Sequence, residues 1–269
     1  MVIDRRLFVA LLVVVGSLGT PPATAGTGPA ATQAGASDGA APVVTPDAAA
    51  LLARATAWLN FPDSETRMTM DVETGTTPAR RYGMRLLKKD SSRLRIEFLE
   101  PARERDRKIL RVGDKMWMYL PDLGRPIVLS ARQSFLGSGF SNADLLRTDL
   151  TEDYTAVVLG RETLAGRAAL RLELTGKGSQ AAYPRVLLWL AEDDAAPLRQ
   201  EFFTRSGKRI KTLEYAEPKS TATGVRYLAR VTVTPDVGRK ERTVLLVSEL
   251  LTGRNLPLSL FQGDSLDQR

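Results

Sequence analysis

The 269-residue sequence contains no cysteine and no histidine. Without cysteine, an exported chain forms no disulfides, so its hydrophobic core must supply its stability. Histidine is the commonest general base, a frequent metal ligand and the partner of serine in Ser-His-Asp hydrolases. Its absence excludes zinc hydrolases and Ser-His-Asp enzymes, and leaves carboxylate-pair glycosidases and Ser-Lys hydrolases open. We expect no catalytic residues, no metal and no cofactor.

The N-terminal residues carry an export pattern. A pair of arginines at positions 5 and 6 precedes an apolar run over 7–18, and an Ala-Thr-Ala sequence ends at Ala25. This order is typical of a secretory signal peptide, and the run is shorter than the roughly 20 residues that span a bilayer. We therefore expect residues 1–25 to be a signal peptide cleaved after Ala25, with Sec and twin-arginine export both open.

The rest of the chain divides into a leader and one domain. Residues 26–45 are small, polar and rich in Gly, Ala and Pro, which predicts a flexible leader. Residues 46–269 are long enough for a single domain with a sizeable core. The net charge of +7 favours contact with anionic lipid headgroups over nucleic acid, or it serves solubility alone.

Hydrophobic spacing predicts one helix followed by a mainly β chain. Thr45 or Asp47 is suited to cap the helix, and apolar residues at helical spacing follow before Pro62. Beyond it, short segments alternate between apolar and polar residues and are separated by turn sequences. This pattern predicts an antiparallel sheet or barrel of about eleven strands, in an α+β chain that is mainly β.

The alternation is one-sided, so the sheet has one apolar face that something must cover. The predicted helix and the segment after a glycine-rich loop are the candidates. Methionines on this face suit a cavity for flexible acyl chains, or they simply fill a core. The predicted cavity positions on the strands are Met68, Met70, Met84, Leu86, Leu94, Ile96, Phe98, Trp117 and Tyr119.

The loop sequence "SFLGSGFSNADLL" over 134–146 is the most distinctive stretch. It lacks the Lys-Ser/Thr pair and the strand-loop-helix setting of a phosphate-binding loop, and the frame of a nucleophile elbow. Nearby carboxylates form either a catalytic cluster or structural caps and turns; they are Asp144, Asp149, Glu152 and Asp153. Ser141 and Asp144 match a capping box, which favours the structural interpretation.

Large apolar side chains crowd this loop, although loops normally expose their residues. Such side chains are stable only if they pack on something or line a ligand entrance. We therefore predict that they form the rim and lid of the cavity, with Gly137 and Gly139 as a hinge. The rim residues are Phe135, Leu136, Phe140, Leu145 and Leu146.

The strand "WMYLP" over 117–121 and this loop resemble the outer-membrane lipoprotein-sorting protein family, which is related to LolA. The segments "LWLAEDDAAPLRQEFFTRSGKRIKTLEY" and "LPLSLF" support the resemblance, which covers roughly residues 65 to 262. The matching positions are Trp117, Tyr119, Pro121, Gly137, Gly139, Phe140, Asn142, Asp144 and Leu145.

The resemblance implies an unclosed antiparallel β-barrel whose hydrophobic concave face is covered by a helical lid. It also implies a monomeric periplasmic carrier that takes acyl chains of a lipoprotein or lipid from an inner-membrane transporter to an outer-membrane acceptor. LolA latches its lid with an arginine in the cavity, and this chain offers several candidate arginines. Two other classes remain open: an envelope binding or sensing module that serves a partner protein, and an enzyme using a carboxylate pair.

Overall fold

A computed structural model describes residues 47–74, 77–178, 181–238 and 241–266. The predicted signal peptide, 1–25, and leader, 26–45, lie outside the described residues. Within the described ranges, no helix is both long enough and apolar enough to cross a membrane.

Helix α1, Ala48–Thr56, begins where a polar cap is available. The Asp47 carboxylate accepts a hydrogen bond from the Ala49 amide at 2.9 Å, which satisfies one of the free N–H groups of the first turn. After the helix, the buried Trp58 indole donates to the Asp194 carbonyl at 3.4 Å. The helix buries the stripe that the spacing predicts, namely Leu51, Leu52 and Ala55.

The described strands form one antiparallel sheet of thirteen strands. The first six are β1 (Ser64–Thr74), β2 (Thr77–Lys88), β3 (Arg93–Glu100), β4 (Lys108–Val112), β5 (Lys115–Leu120) and β6 (Arg125–Val128). The last seven are β7 (Tyr154–Leu164), β8 (Arg167–Gly176), β9 (Arg185–Ala191), β10 (Pro197–Phe203), β11 (Arg209–Ser220), β12 (Arg226–Pro235) and β13 (Glu241–Thr252).

Each group of strands pairs in chain order, and the two groups meet where β1 pairs with β13. The sheet does not close, so β6 and β7 are its two edges. The predicted unclosed antiparallel barrel is confirmed, with thirteen strands rather than about eleven. Periodicity alone counts strands poorly where short ones follow each other across tight turns.

The two faces of the sheet have different covers. Its inner face carries buried side chains such as Met70, Met84, Ile96 and Leu172, which belong to the main hydrophobic core. The outer face of β2, β4 and β5 is covered by the C-terminal segment after β13. This second cluster joins Leu87, Leu110, Trp117 and Tyr119 to Leu256, Phe261 and Leu266.

The prediction that Trp117 and Tyr119 line the inner cavity is therefore wrong. They pack in the outer cluster, while their neighbours Met116 and Met118 belong to the main core. Successive side chains of a strand point to opposite faces, so these two pairs cannot share one face. Both faces of β5 are apolar, so composition does not reveal which face is the inner one.

Candidate functional site: the inner face and its lid

The connection between β6 and β7 joins the opposite edges of the sheet, and its side chains pack on the inner face. We call residues 129–153 the lid segment. It contains two short helices, α2 (Asn142–Leu146) and α3 (Leu150–Asp153). The predicted capping box is present: the Asp144 amide donates to Ser141 Oγ at 3.3 Å and the Ser141 amide donates to Asp144 Oδ2 at 2.6 Å.

The large apolar side chains of the lid segment point into the fold. Phe135 and Leu146 are fully buried, and Phe140 and Leu145 are nearly so, while Leu136 packs partly buried at the margin. All of them join the main core with the inner-face strands. The lid side chains thus occupy the surface that the sequence analysis assigns to a ligand.

A cavity of about 160 Å³ remains between the lid segment and the inner face. A cavity of about this volume holds a molecule the size of benzene, so it has no room for a whole acyl chain. Five predicted positions line it, namely Met68, Leu86, Leu94, Phe140 and Leu145. Six others lie in the filled core instead, namely Met70, Met84, Ile96, Phe98, Phe135 and Leu146.

A second, more open space of about 1000 Å³ lies beside the glycine-rich loop. Gly137, Ser138 and Gly139 line it, together with residues of the β8–β9, β10–β11 and β12–β13 connections. Phe140 and Tyr183 line both spaces, so these two rings form the wall between them.

A buried ion pair joins the lid segment to β11. Lys211 Nζ contacts Asp144 Oδ2, and both side chains are at most 5% exposed. The ammonium group also lies 5.1 Å from the centre of the Tyr183 ring. Burial, and next the charge of Asp144, raise the pKa of the Tyr183 hydroxyl, which lies 2.9 Å from Ser141 Oγ as a hydrogen-bond donor. The start of α2 is therefore fixed by charge and hydrogen bonds together.

Two arginines of the inner face bind backbone carbonyls of the lid segment. Arg80 of β2 donates to Leu136 O at 3.3 Å and to Gly137 O at 3.2 Å. Arg111 of β4, which is 2% exposed, donates to Leu146 O at 2.8 Å. These contacts hold the loop before α2 and the end of α2.

Lys88, at the end of β2, is 3% exposed and lines the cavity. Its ammonium group donates to Thr148 Oγ1 of the lid segment at 2.7 Å, the one hydrogen bond it makes within the described part of the chain. Burial, and next the charge of Arg111, lower the pKa of Lys88 to about 8, against the opposing charges of Asp149, Glu152 and Asp90.

The sequence analysis missed these basic side chains, although a signal for them exists. Lys88 continues the spacing of Tyr82, Met84 and Leu86, and Lys211 shares the spacing of Leu213 and Tyr215. A basic residue at an apolar position of the two-residue repeat must point to the buried face, where a charge needs a partner. That rule selects both lysines without a structure.

The carboxylates near the lid have structural partners. Asp149 caps α3 by accepting from the Thr151 amide at 3.1 Å, and it also accepts from Asn60 Nδ2 at 3.0 Å. Asp153 accepts from Arg147 Nε at 2.9 Å, and Glu152 lies 3.8 Å from Arg111 Nη2. These contacts favour the structural interpretation of the cluster over the catalytic one.

Comparison with known proteins assigns the chain to a family. A family model described as "Uncharacterized protein" matches residues 90–268, about two thirds of the chain. The chain belongs to this family. A search of curated proteins finds no match.

Solved structures show that the fold is LolA-like. A LolA superfamily protein from Nitrosomonas europaea is 27% identical with a TM-score of 0.73, over 81% of this chain and 99% of that one. A domain assigned to outer membrane lipoprotein sorting, from Vibrio parahaemolyticus, is 23% identical with a TM-score of 0.70, over 82% and 98%. A DUF1329 family protein from Desulfovibrio piger is 22% identical with a TM-score of 0.73, over 81% and 97%.

The first prediction concerns the buried ion pair. Lys211→Met or Asp144→Asn alone leaves one buried group without its partner, so each should lower the free energy of unfolding by roughly 3–5 kcal/mol. The double variant should lose clearly less than the sum of the two, as measured by urea unfolding. The exposed pair Arg230–Glu217, 2.7 Å apart, is the control and should show a much weaker coupling, because solvent screens its charges. Additive losses would show that the two groups do not interact.

The second prediction concerns Lys88 and pH. A pKa lowered from 10.5 to about 8 means that the unfolded chain binds more protons between these values, so stability rises with pH there. Lys88→Met removes this dependence. At pH 7 the variant should have a higher free energy of unfolding than the wild type. This difference should shrink by about 3 kcal/mol between pH 7 and pH 10.5, as measured by urea unfolding. A difference that stays constant across this range would show that the ammonium group is solvated in the folded protein.

Proposed function

We propose that this protein is a periplasmic carrier that binds acyl chains of a lipoprotein or lipid on its inner face and moves them between the inner and outer membranes. In this proposal a membrane transporter is the donor, an outer-membrane site is the acceptor, and the carrier acts as a monomer without enzymatic chemistry. The observation that carries the proposal is that the lid side chains fill the inner face. A lid segment and an acyl chain can therefore compete for the same apolar surface.

The energies of the two occupants are comparable. Burying an acyl chain gains about 0.8 kcal/mol per methylene, so a chain of about fifteen methylenes gains roughly 12 kcal/mol. Four or five large lid side chains gain roughly 1.5–3 kcal/mol each when buried. Exchange between the two is then close to balanced, which suits a carrier that must both load and release.

Displacement of Phe140 would join the two spaces that it now separates. The combined volume would lie slightly above the range of about 300–1000 Å³ typical of small-molecule pockets. The basic side chains that hold the lid bind it through polar contacts, so its position is fixed without a covalent link. In this proposal, binding to the donor breaks these polar contacts, and the lid segment moves away from the inner face.

A second candidate is an envelope binding or sensing module that serves a partner protein and carries no cargo. The observation that favours it is the size of the present cavity, about 160 Å³, which is too small for an acyl chain. The two candidates differ in whether the isolated protein takes up lipid.

The third prediction tests uptake. The full chain, exported by a bacterium and purified without detergent, should show one acyl lipid per protein by native mass spectrometry, or should acquire one when offered diacyl lipid. Leu86→Trp, which places a larger side chain in the cavity, should reduce this occupancy at least several-fold. Leu159→Trp makes the same change on the exposed side of β7 and should leave it unchanged. A wild type that takes up no lipid would contradict the carrier and favour the partner-binding module.

The fourth prediction concerns the proposed hinge. Gly137 has a φ of +69°, which side chains with a Cβ rarely adopt, and a Cβ on Gly139 would lie 2.9 Å from Val233 Cγ1. Gly137→Ala and Gly139→Ala should slow transfer of a fluorescent acyl lipid to acceptor vesicles. Gly166→Ala is the control, because Gly166 also has a positive φ, +80°, but lies in the β7–β8 turn rather than in the lid segment. Normal transfer by both loop variants would rule out the hinge.

A further inference from the structure

Two polar side chains in the apolar cavity offer hydrogen-bond donors that the described residues use incompletely. Lys88 has three N–H donors, one of which donates to Thr148 Oγ1. Gln200 of β10, which is 3% exposed, uses its Oε1 to accept from the Tyr215 hydroxyl at 2.7 Å. Its Nε2 has no hydrogen-bond partner among the described residues. Both side chains line the same cavity.

Such groups are costly in a cavity that only has to hold hydrocarbon. A buried donor without an acceptor costs about 1–3 kcal/mol, and a buried ammonium costs more unless it is paired. Leucine or methionine at either position would fit the two-residue repeat and avoid this cost. The donors are therefore explained if the ligand brings acceptor oxygens into the cavity.

The partner of Lys88 belongs to the part of the protein that the proposed function moves. Thr148 lies between α2 and α3 in the lid segment, so displacement of the lid would remove the hydrogen bond that Lys88 makes in the described structure. An oxygen of the ligand can then take the place of the Thr148 hydroxyl. Gln200 lies on β10, outside the lid segment, and its amide stays in the cavity wall.

Resting on the proposed function, we infer that Lys88 and the Gln200 amide bind the acyl oxygens of the cargo, either the carbonyl of an ester or the carboxylate of a free fatty acid. These side chains then place the polar end of the acyl group inside the cavity. They favour acylated molecules over plain hydrocarbons and over lipids that lack an acceptor at this position.

The experiment compares three twelve-carbon ligands, namely dodecanoate, methyl dodecanoate and dodecane. Their affinities for the full chain are measured at pH 7 by displacement of the neutral fluorescent probe N-phenyl-1-naphthylamine. Lys88→Met should weaken dodecanoate binding at least tenfold, as expected for a lost hydrogen bond to a charged group, and leave dodecane unchanged. Gln200→Met should weaken dodecanoate and the ester several-fold and leave dodecane unchanged.

Lys89→Met is the matched control, because Lys89 pairs with Asp63 at 3.3 Å and does not line the cavity. It should bind all three ligands as the wild type does. Loss of dodecanoate alone in Lys88→Met would assign the site to free carboxylates, and loss of both oxygen-bearing ligands would assign it to esters as well. Dodecane binding in each variant reports an intact cavity.

Two outcomes overturn the inference while leaving the carrier proposal intact. In the first, both variants bind all three ligands like the wild type. In the second, they lose all three equally, which would make Lys88 and Gln200 supports of the cavity rather than contacts of the ligand. A wild type that binds none of the three ligands would instead defeat the proposed function and the inference together.

Discussion

The apolar inner face of an open sheet is the constraint on which the rest of this structure depends. The inner face of the thirteen described strands presents more hydrophobic surface than one short helix can cover. Because the chain leaves the sheet at one edge and re-enters it at the other, the connecting segment is the part of the chain available to cover the middle. The lid segment shares this cover with helix α1, and its large apolar side chains fit that position.

Polar groups decide where the lid segment sits. Apolar packing alone tolerates sliding, since hydrophobic contacts have no direction. Lys211 with Asp144, Arg111 with the Leu146 carbonyl and Lys88 with Thr148 each have one favourable geometry. Burying three cations is expensive, and such groups often contribute more to a unique arrangement than to net stability. Arginine and lysine side chains of β2, β4 and β11 make these contacts with the lid segment.

The sequence predicted the local features well and the long-range ones poorly. Alternation identified the inner positions of β1 to β3, and the spacing of Ser141 and Asp144 identified the start of α2. It misplaced Trp117 and Tyr119, because β5 is apolar on both sides and the C-terminal cover of the outer face leaves no local trace. The pairing of β1 with β13 joins residues far apart in the chain, and so do the contacts of Lys88 and Lys211. The local periodicity of the sequence therefore cannot predict them.

Both faces of the sheet bury polar groups beneath their covers. On the outer face, Leu256, Phe261 and Leu266 pack on apolar strand residues, and the buried Arg95 donates to the carbonyls of Leu260 and Ser265. On the inner face, the cover leaves a cavity in which, among the described residues, Lys88 has one hydrogen-bond partner and the Gln200 amide nitrogen has none. A cover selected for stability alone would eliminate these costs, since packed apolar residues achieve the same burial. On the inner face, such costs are expected if the lid segment and a ligand share one surface, as the proposed function requires.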